Sequence, residues 1–363
     1  MSETAILVVG SQSLFPSTCE SLFPCDSQPE APLACLEILG ASLVERMAER
    51  FERSGVSRVW VVAENRLARF IPWRLRKRIS WLASPADEAA AVDRISREEA
   101  RRGIKTLLLV GVGPYFEFEP AEILRFHRAQ RAVSTVVCDG DGALPFWVFS
   151  AGDASRTALF GGSDSAAASF PLNGYTNRLA DPAQLRRLIT DAFEGRSGLV
   201  PRGRQVQPGI WLGDGARIHR DAQLIAPVFI GSKARLHASA VVSQFSHVEC
   251  RSVVGYGSVV ERSSVFPYTH VGRGLEVVNA VVDGGKLLSL HRNVAVEIND
   301  ATILSKIEPW RLVRFSRRPS RRRAVAGEVM ARPNLTPTPV PVYVGSAKER
   351  HAQWETYNSE AVT

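Results

Sequence analysis

The chain has 363 residues, of which 45% are hydrophobic, and a formal net charge of +8. This length predicts two or three domains with ordinary cores, and no apolar stretch approaches the roughly 20 residues of a membrane-spanning helix. Five scattered cysteines without zinc-type spacing predict reduced thiols rather than a disulfide framework. The first residues show no signal-peptide pattern, so the sequence predicts a cytoplasmic protein.

The positive charge is concentrated in one segment. Seven arginines and no acid lie between residues 311 and 323, which leaves the rest of the chain near neutrality. This distribution argues against a general nucleic-acid-binding surface.

Short apolar runs alternate with amphipathic helical stretches over residues 1–195. The runs AILVVG, VSRVWVVAE, KTLLLVGVG and STVVCD predict strands, and SLVERMAERFERSGV, PAEILRFHRAQRA and PAQLRRLITDAFEG predict helices. Strands that alternate with helices of this length are typical of an α/β domain with a mainly parallel, Rossmann-like sheet. The Gly/Pro/Arg-rich residues 196–209 are predicted to form a linker.

A strict six-residue repeat follows. A large apolar residue recurs at every sixth position from Leu212 to Phe266, and a small or β-branched residue lies four positions after each of the first nine. Neither helices nor isolated strands produce this period, so the repeat predicts a parallel β-helix over residues 210–304, with the large residues inside and a register slip after Phe266. Residues 305–363 are predicted to be an Arg-rich arm and a mostly disordered tail.

Three segments, PLACLEILGASLVERMAERFERSGVSRVWVVAEN, LLLVGVGPYFEFEPAEILRFHRAQRAVSTVV and GYTNRLADPAQLRRLITDAFEGRS, precede this repeat in order. With it, they resemble the sugar-1-phosphate nucleotidyltransferases, especially the GDP-mannose pyrophosphorylase type, over residues 3–300. The matching positions are Phe126, His127, Arg128, Thr135, Gly174, Tyr175 and Pro182. The resemblance implies a nucleotidyltransferase-type α/β domain followed by a left-handed β-helix.

The resemblance also implies a phosphate-binding glycine loop, a lysine and two Mg²⁺-binding aspartates. The loop here has only Gly10 and no cation, Leu33 and Ala34 stand where the lysine is expected, and the aspartate positions fall on Pro114 and Arg178. Proline offers no metal ligand and arginine repels Mg²⁺. The first hypothesis is therefore a catalytically degenerate protein with a regulatory or scaffolding role in sugar-nucleotide or polysaccharide metabolism.

In that hypothesis the domain senses a nucleotide, a sugar phosphate or a nucleotide sugar, and Arg178 binds phosphate directly. The candidate ligand-binding residues are Gly10, Gly111, Tyr175 and Arg178. The second hypothesis is an active nucleotidyltransferase whose Mg²⁺ site has moved to acids such as Glu117, Glu119 or Asp139. The third is a hexapeptide-repeat acyltransferase with His270, at the register break, as general base.

The Arg-rich arm and the repeat suggest partners. The arm consists of Arg311, Arg314, Arg317, Arg318, Arg321, Arg322 and Arg323, interleaved with Trp310 and Phe315. This composition suits an anionic membrane surface, which would make the protein a peripheral membrane protein, or an acidic partner or RNA; a solvated arm is the plain alternative. The β-helix is predicted to support a homo- or hetero-oligomer.

Overall fold

The computed structural model describes residues 3–9, 32–64, 75, 80–84, 88–150 and 167–307. The chain forms two compact units that divide between Arg202 and Gly203, with Arg292–Ala295 grouped with the first. We call them the α/β unit and the coil unit. No helix in these described ranges is long and apolar enough to cross a membrane. Residues 308–363, which include the Arg-rich arm and all but the first three residues of the predicted arm and tail, lie outside the described residues.

The α/β unit contains eleven described strands. They are β1 (Glu3–Val9), β2 (Glu37–Ile38), β3 (Ala41–Ser42), β4 (Arg58–Glu64), β5 (Ser80–Ser84), β6 (Thr106–Val112), β7 (Tyr115–Phe116), β8 (Ser134–Asp139), β9 (Gly142–Ser150), β10 (Ala168–Pro171) and β11 (Thr176–Asn177). Seven form one sheet in the order β10-β8-β9-β6-β1-β4-β5. Only β9 runs antiparallel to its neighbours, β6 and β8. The predicted α/β class with a mainly parallel sheet is therefore confirmed.

Helices connect these strands. They are a 3-10 turn (Leu33–Cys35), α1 (Leu43–Arg53), α2 (Glu88–Arg101), α3 (Pro120–Gln130) and α4 (Pro182–Phe193). The start of α1 is defined by a capping box, in which Glu45 N donates to Ser42 Oγ (3.3 Å) and Ser42 N donates to Glu45 Oε2 (3.0 Å). A proline in the first turn starts α3 and α4, where its missing N–H costs nothing. The sequence predicts α1, α3 and α4; α2 was not singled out.

An aromatic cluster joins α1 to the sheet. Phe51, Phe116, Phe118 and Phe146 are buried, and their ring centroids lie 4.8–6.2 Å apart in tilted or edge contacts. Aromatic pairs of this geometry add to the stabilisation from burial. The cluster therefore holds the carboxyl-terminal half of α1 against the segment that follows β6.

The coil unit is a stack of short strands. They are β12 (Arg204–Gln207), β13 (Ile210–Leu212), β14 (Arg217–Ile218), β15 (Gln223–Ile225), β16 (Val228–Ile230), β17 (Arg235–Leu236), β18 (Val241–Ser243), β19 (Ser246–Val248), β20 (Val253–Val254), β21 (Val259–Glu261), β22 (Ser264–Val265), β23 (Thr269–Val271), β24 (Glu276–Val278), β25 (Ala280–Asp283), β26 (Lys286–Ser289), β27 (Val294–Glu297) and β28 (Leu304–Lys306). From β13 to β25 they pair in parallel in three sheets, a stacked arrangement compatible with the predicted β-helix.

Pairing shows where the repeat shifts. Val228 pairs with Ser246, eighteen residues later, but Val248 pairs with Val265, seventeen residues later. Val260 still lies in the eighteen-residue register with Val242. One residue is therefore lost between Val260 and Val265, and Val265 joins the interior cluster. The slip predicted after Phe266 was therefore one corner too late.

Small residues in the corners also form hydrogen bonds with the backbone of the next coil. Ser258 Oγ donates to Gly272 O (2.7 Å) and accepts from Leu275 N (3.1 Å) on the next coil. Ser252 Oγ donates in the same way to Phe266 O (2.7 Å). Each serine satisfies buried backbone groups that the corner would otherwise leave unpaired.

Candidate functional site

The two positions that the resemblance assigns to metal-binding aspartates converge. Strands β7 and β11 pair antiparallel, with Phe116 opposite Thr176 and Tyr115 opposite Asn177. Pro114 and Arg178 are the next residues along the two strands, so this register places them at the same end of the ribbon. A shared metal site would require this convergence, but the residue types present are a proline and an arginine.

Arg178 forms an ion pair with Asp139, the last residue of β8. Its Nη2 donates to Asp139 Oδ1 and to Gly142 O (3.1 Å), and its Nη1 donates to Ala143 O (3.4 Å). The Asp139 side chain is only 5% exposed, against 28% for Arg178. Asp139 Oδ2 and Arg178 Nε are buried and have no hydrogen-bond partner in the described part of the chain. The structure thus joins a predicted phosphate ligand to a predicted metal ligand, and each neutralises the other.

Glu117 is held by its own surroundings. Its Oε1 accepts hydrogen bonds from Tyr115 Oη (3.0 Å) and from Gly198 N, and its backbone N–H donates to Tyr175 O (2.9 Å). Gly174 packs so closely that a Cβ there would overlap the carbonyl oxygen of Glu117. Glu117 therefore connects the ribbon to the segment that follows α4. Glu119 is exposed at the start of α3 and makes no side-chain capping bond.

Tyr175 makes a structural contact with α4. Its Oη donates to Asp191 Oδ2 (2.6 Å), and its ring lies 6.0 Å from that of Tyr115. Burial and this hydrogen bond raise the pKa of Tyr175 to about 12. Gly111 is buried within β6, where it pairs with Val8 of β1. Gly10 lies outside the described residues.

Histidines occupy structural positions in both units. His127 is buried, and its Nδ1 lies 2.8 Å from Thr135 Oγ1, so two residues of the resemblance contact each other. Burial, with a smaller contribution from Arg128, lowers the pKa of His127. His270 is half-buried in β23, between Val253 and Ser305 of the neighbouring strands. Among the described residues, no three His, Cys, Asp or Glu side chains form a group that could hold a metal ion.

A cavity of about 240 Å³ opens against α1, and every described residue that lines it belongs to the α/β unit. One wall is α1, a second is the Pro114–Phe116 segment, and the third is residues 198–202. Its charged lining residues are Arg46, Arg50, Arg53, Arg202 and Glu49. Arg46, Arg50 and Arg53 are spaced four and three residues apart, which places them on one face of the helix. The helix was predicted, but this arginine face was not recognised, although its spacing was visible in the sequence.

The arginines that line the cavity make different contacts. Arg46 holds the walls together, because its Nη1 donates to Val200 O (3.1 Å) and its Nη2 to Ile38 O and Leu39 O (both 3.0 Å). Arg53, 80% exposed, lies 3.4 Å from Glu49, and Arg202 contacts the same carboxylate. Among the described lining residues, four arginines stand against one glutamate.

Comparisons with known proteins do not identify a family for this chain. No protein-family model matches the chain, and no curated protein gives a significant match.

Proposed function

We propose that this chain is a nucleotidyltransferase-like protein whose α/β unit no longer holds the metal centre for sugar-nucleotide synthesis. The observation that carries the proposal is the end of the β7–β11 ribbon, where Pro114 and Arg178 converge. Mg²⁺ takes oxygen ligands in near-octahedral geometry. Pro114 has no such atom, and Arg178 places a guanidinium on Asp139. The residues described at this end of the ribbon therefore do not fit Mg²⁺.

The proposed role is regulatory or scaffolding, in sugar-nucleotide or polysaccharide metabolism. Both the pathway and the assignment of the two units as a nucleotidyltransferase-type domain and a left-handed β-helix come from the resemblance. The mainly parallel sheet and the stacked coils support that assignment. A stack of coils offers a long surface for packing against another subunit, which suits a scaffold.

The competing hypothesis is an active enzyme with a relocated metal site. Its candidate ligands include Glu117 and Asp139, but Glu117 accepts two hydrogen bonds and Asp139 pairs with Arg178. A cation at Glu117 would compete with these hydrogen bonds, and a cation at Asp139 would be repelled by the Arg178 guanidinium. Glu119 is exposed, and a lone carboxylate would hold Mg²⁺ only together with substrate phosphates. The described contacts therefore favour the degenerate protein.

The experiment that tests the proposal measures pyrophosphate release from each nucleoside triphosphate with a panel of sugar 1-phosphates and Mg²⁺. We expect no release above the background. Mg²⁺-dependent release that Asp139→Asn or Glu119→Gln abolishes would overturn the proposal. Glu122→Gln, a change at an exposed acid in the first turn of α3, is the matched control.

A second measurement tests the regulatory role. Ligands that bind only the native state raise the melting temperature by mass action. We expect a nucleotide or nucleotide sugar to raise it in the presence of a chelator, since no metal is required. A shift that appears only with Mg²⁺ would contradict the proposal. A weaker shift with Arg178→Asp would identify Arg178 as part of the ligand site.

A further inference from the structure

We propose that the cavity against α1 binds the phosphate group of a small phosphorylated metabolite. The charge of the lining favours an anionic ligand. Arg46, Arg50, Arg53 and Arg202 line the cavity, whereas Glu49 and, in the adjoining depression, Glu52 are the carboxylates. Among the described lining residues, four arginines against two glutamates leave two positive charges in excess. A phosphate monoester carries about −1.5 to −2 at neutral pH, so its charge matches this excess.

Arg50 has guanidinium N–H groups available to bind a ligand. A guanidinium has five N–H groups in a planar fork that fits phosphate oxygens. Within the described part of the chain, Arg50 donates only from Nη1, to Phe116 O (3.3 Å), while its guanidinium lies 5.4 Å from the Phe118 ring centre. These contacts fix the orientation of Arg50 and leave other N–H groups for a ligand.

The Glu49 carboxylate competes with a bound phosphate for Arg53 and Arg202. It accepts from Arg53 at 3.4 Å and from Arg202, and the exposed Arg53 pair is of a kind that contributes little to stability. A phosphate that enters can therefore draw Arg53 away from Glu49 at low cost. The contact geometry predicts that removing the Glu49 charge strengthens phosphate binding.

The cavity is preformed and small. Residues 198–202 are anchored by Gly198 N on Glu117, by Arg46 on Val200 O (3.1 Å) and by Arg202 N on Leu39 O (2.9 Å). Binding therefore needs little ordering of the walls. The volume of about 240 Å³ is below the ~300–1,000 Å³ of pockets for drug-sized ligands. The remaining lining includes the apolar residues Leu43, Met47 and Pro201. A sugar phosphate fits these limits better than a nucleotide sugar.

The test is titration calorimetry of the full chain, at low ionic strength and without nucleotide, with inorganic phosphate, a hexose 6-phosphate and the parent hexose. We expect both phosphates to bind and the hexose not to bind. Arg53→Gln/Arg202→Gln should weaken phosphate binding by at least about tenfold, the loss expected for a charge-assisted hydrogen bond. The control Arg125→Gln, at an exposed arginine of α3, should not change it.

Glu49→Gln should change the affinity for phosphate in the opposite direction. We expect tighter phosphate binding in this variant, a result that a purely structural role of the cluster would not produce. If the double variant fails to fold, as judged by circular dichroism, Arg53→Gln alone serves, because its side chain is 80% exposed. No binding up to about 10 mM phosphate, where even a millimolar site would be visible, would overturn the proposal. So would binding that these variants leave unchanged, or binding of inorganic phosphate with exclusion of the hexose phosphate.

This inference does not depend on the proposed function. Phosphate binding is measured without nucleotide or Mg²⁺, and pyrophosphate release is measured separately, so either result can fail while the other stands.

Discussion

Removal of the Asp139 charge tests the ion pair that the structure places at the end of the ribbon. In Asp139→Asn, Arg178 keeps its contacts with Gly142 O (3.1 Å) and Ala143 O (3.4 Å) but loses its counter-charge. Removing one partner of a fully buried pair costs roughly 3–5 kcal/mol. Because 28% of the Arg178 side chain is exposed, water screens the remaining charge. We therefore expect a loss of about 2 kcal/mol, within the range for a hydrogen bond to a charged group.

The assay is thermal unfolding of the α/β unit, followed by the near-ultraviolet circular dichroism of its aromatic cluster. For a unit of this size, about 2 kcal/mol lowers the melting temperature by roughly 4–8 °C. Asp141→Asn is the matched control, since this exposed neighbour loses the same charge and forms no ion pair with any described residue. We expect its effect to stay within about 0.5 kcal/mol.

A double-mutant cycle completes the test. Arg178→Met alone leaves the buried Asp139 carboxylate uncompensated, whereas Asp139→Asn/Arg178→Met removes both charges. We expect the double variant to be more stable than the sum of the single losses implies. Equal effects of Asp139→Asn and Asp141→Asn, together with no coupling in the cycle, would refute the ion pair.

Three further predictions concern packing, the coils and pH. Gly174→Ala should destabilise the α/β unit by roughly 1–3 kcal/mol, because its Cβ meets the Glu117 carbonyl, whereas Gly140→Ala, which meets nothing within 4 Å, should not; thermal unfolding checks both. Ser258→Ala should cost about 1–3 kcal/mol in urea unfolding, since buried backbone groups lose their partner. His127 has a lowered pKa, so acid protonates the unfolded chain first and stability falls as the pH drops below about 6.5. The stability advantage of the wild type over His127→Gln should therefore shrink between pH 7.5 and 5.5; a constant difference would contradict this.

Local patterns were enough to predict four strands and three helices of the α/β unit. The apolar runs of β1, β4, β6 and β8 and the amphipathic spacing of α1, α3 and α4 are properties of neighbouring residues, which the backbone geometry converts directly into strands and helices. The six-residue period predicted the stack of coils for the same reason. The slip was misplaced because Phe266 continues the period by coincidence, and only pairing with Val248 selects Val265 for the interior.

The candidate sites depend on residues far apart in the chain. The ion pair joins Asp139 to Arg178, and the cavity adds Arg202, from the segment predicted as a linker, to the arginine face of α1. Periodicity acts over a few residues, so the sequence was enough to predict the most regular strands, helices and coils. Which charges meet depends on the tertiary structure, because the distance between two side chains is set by the packing of the elements that carry them.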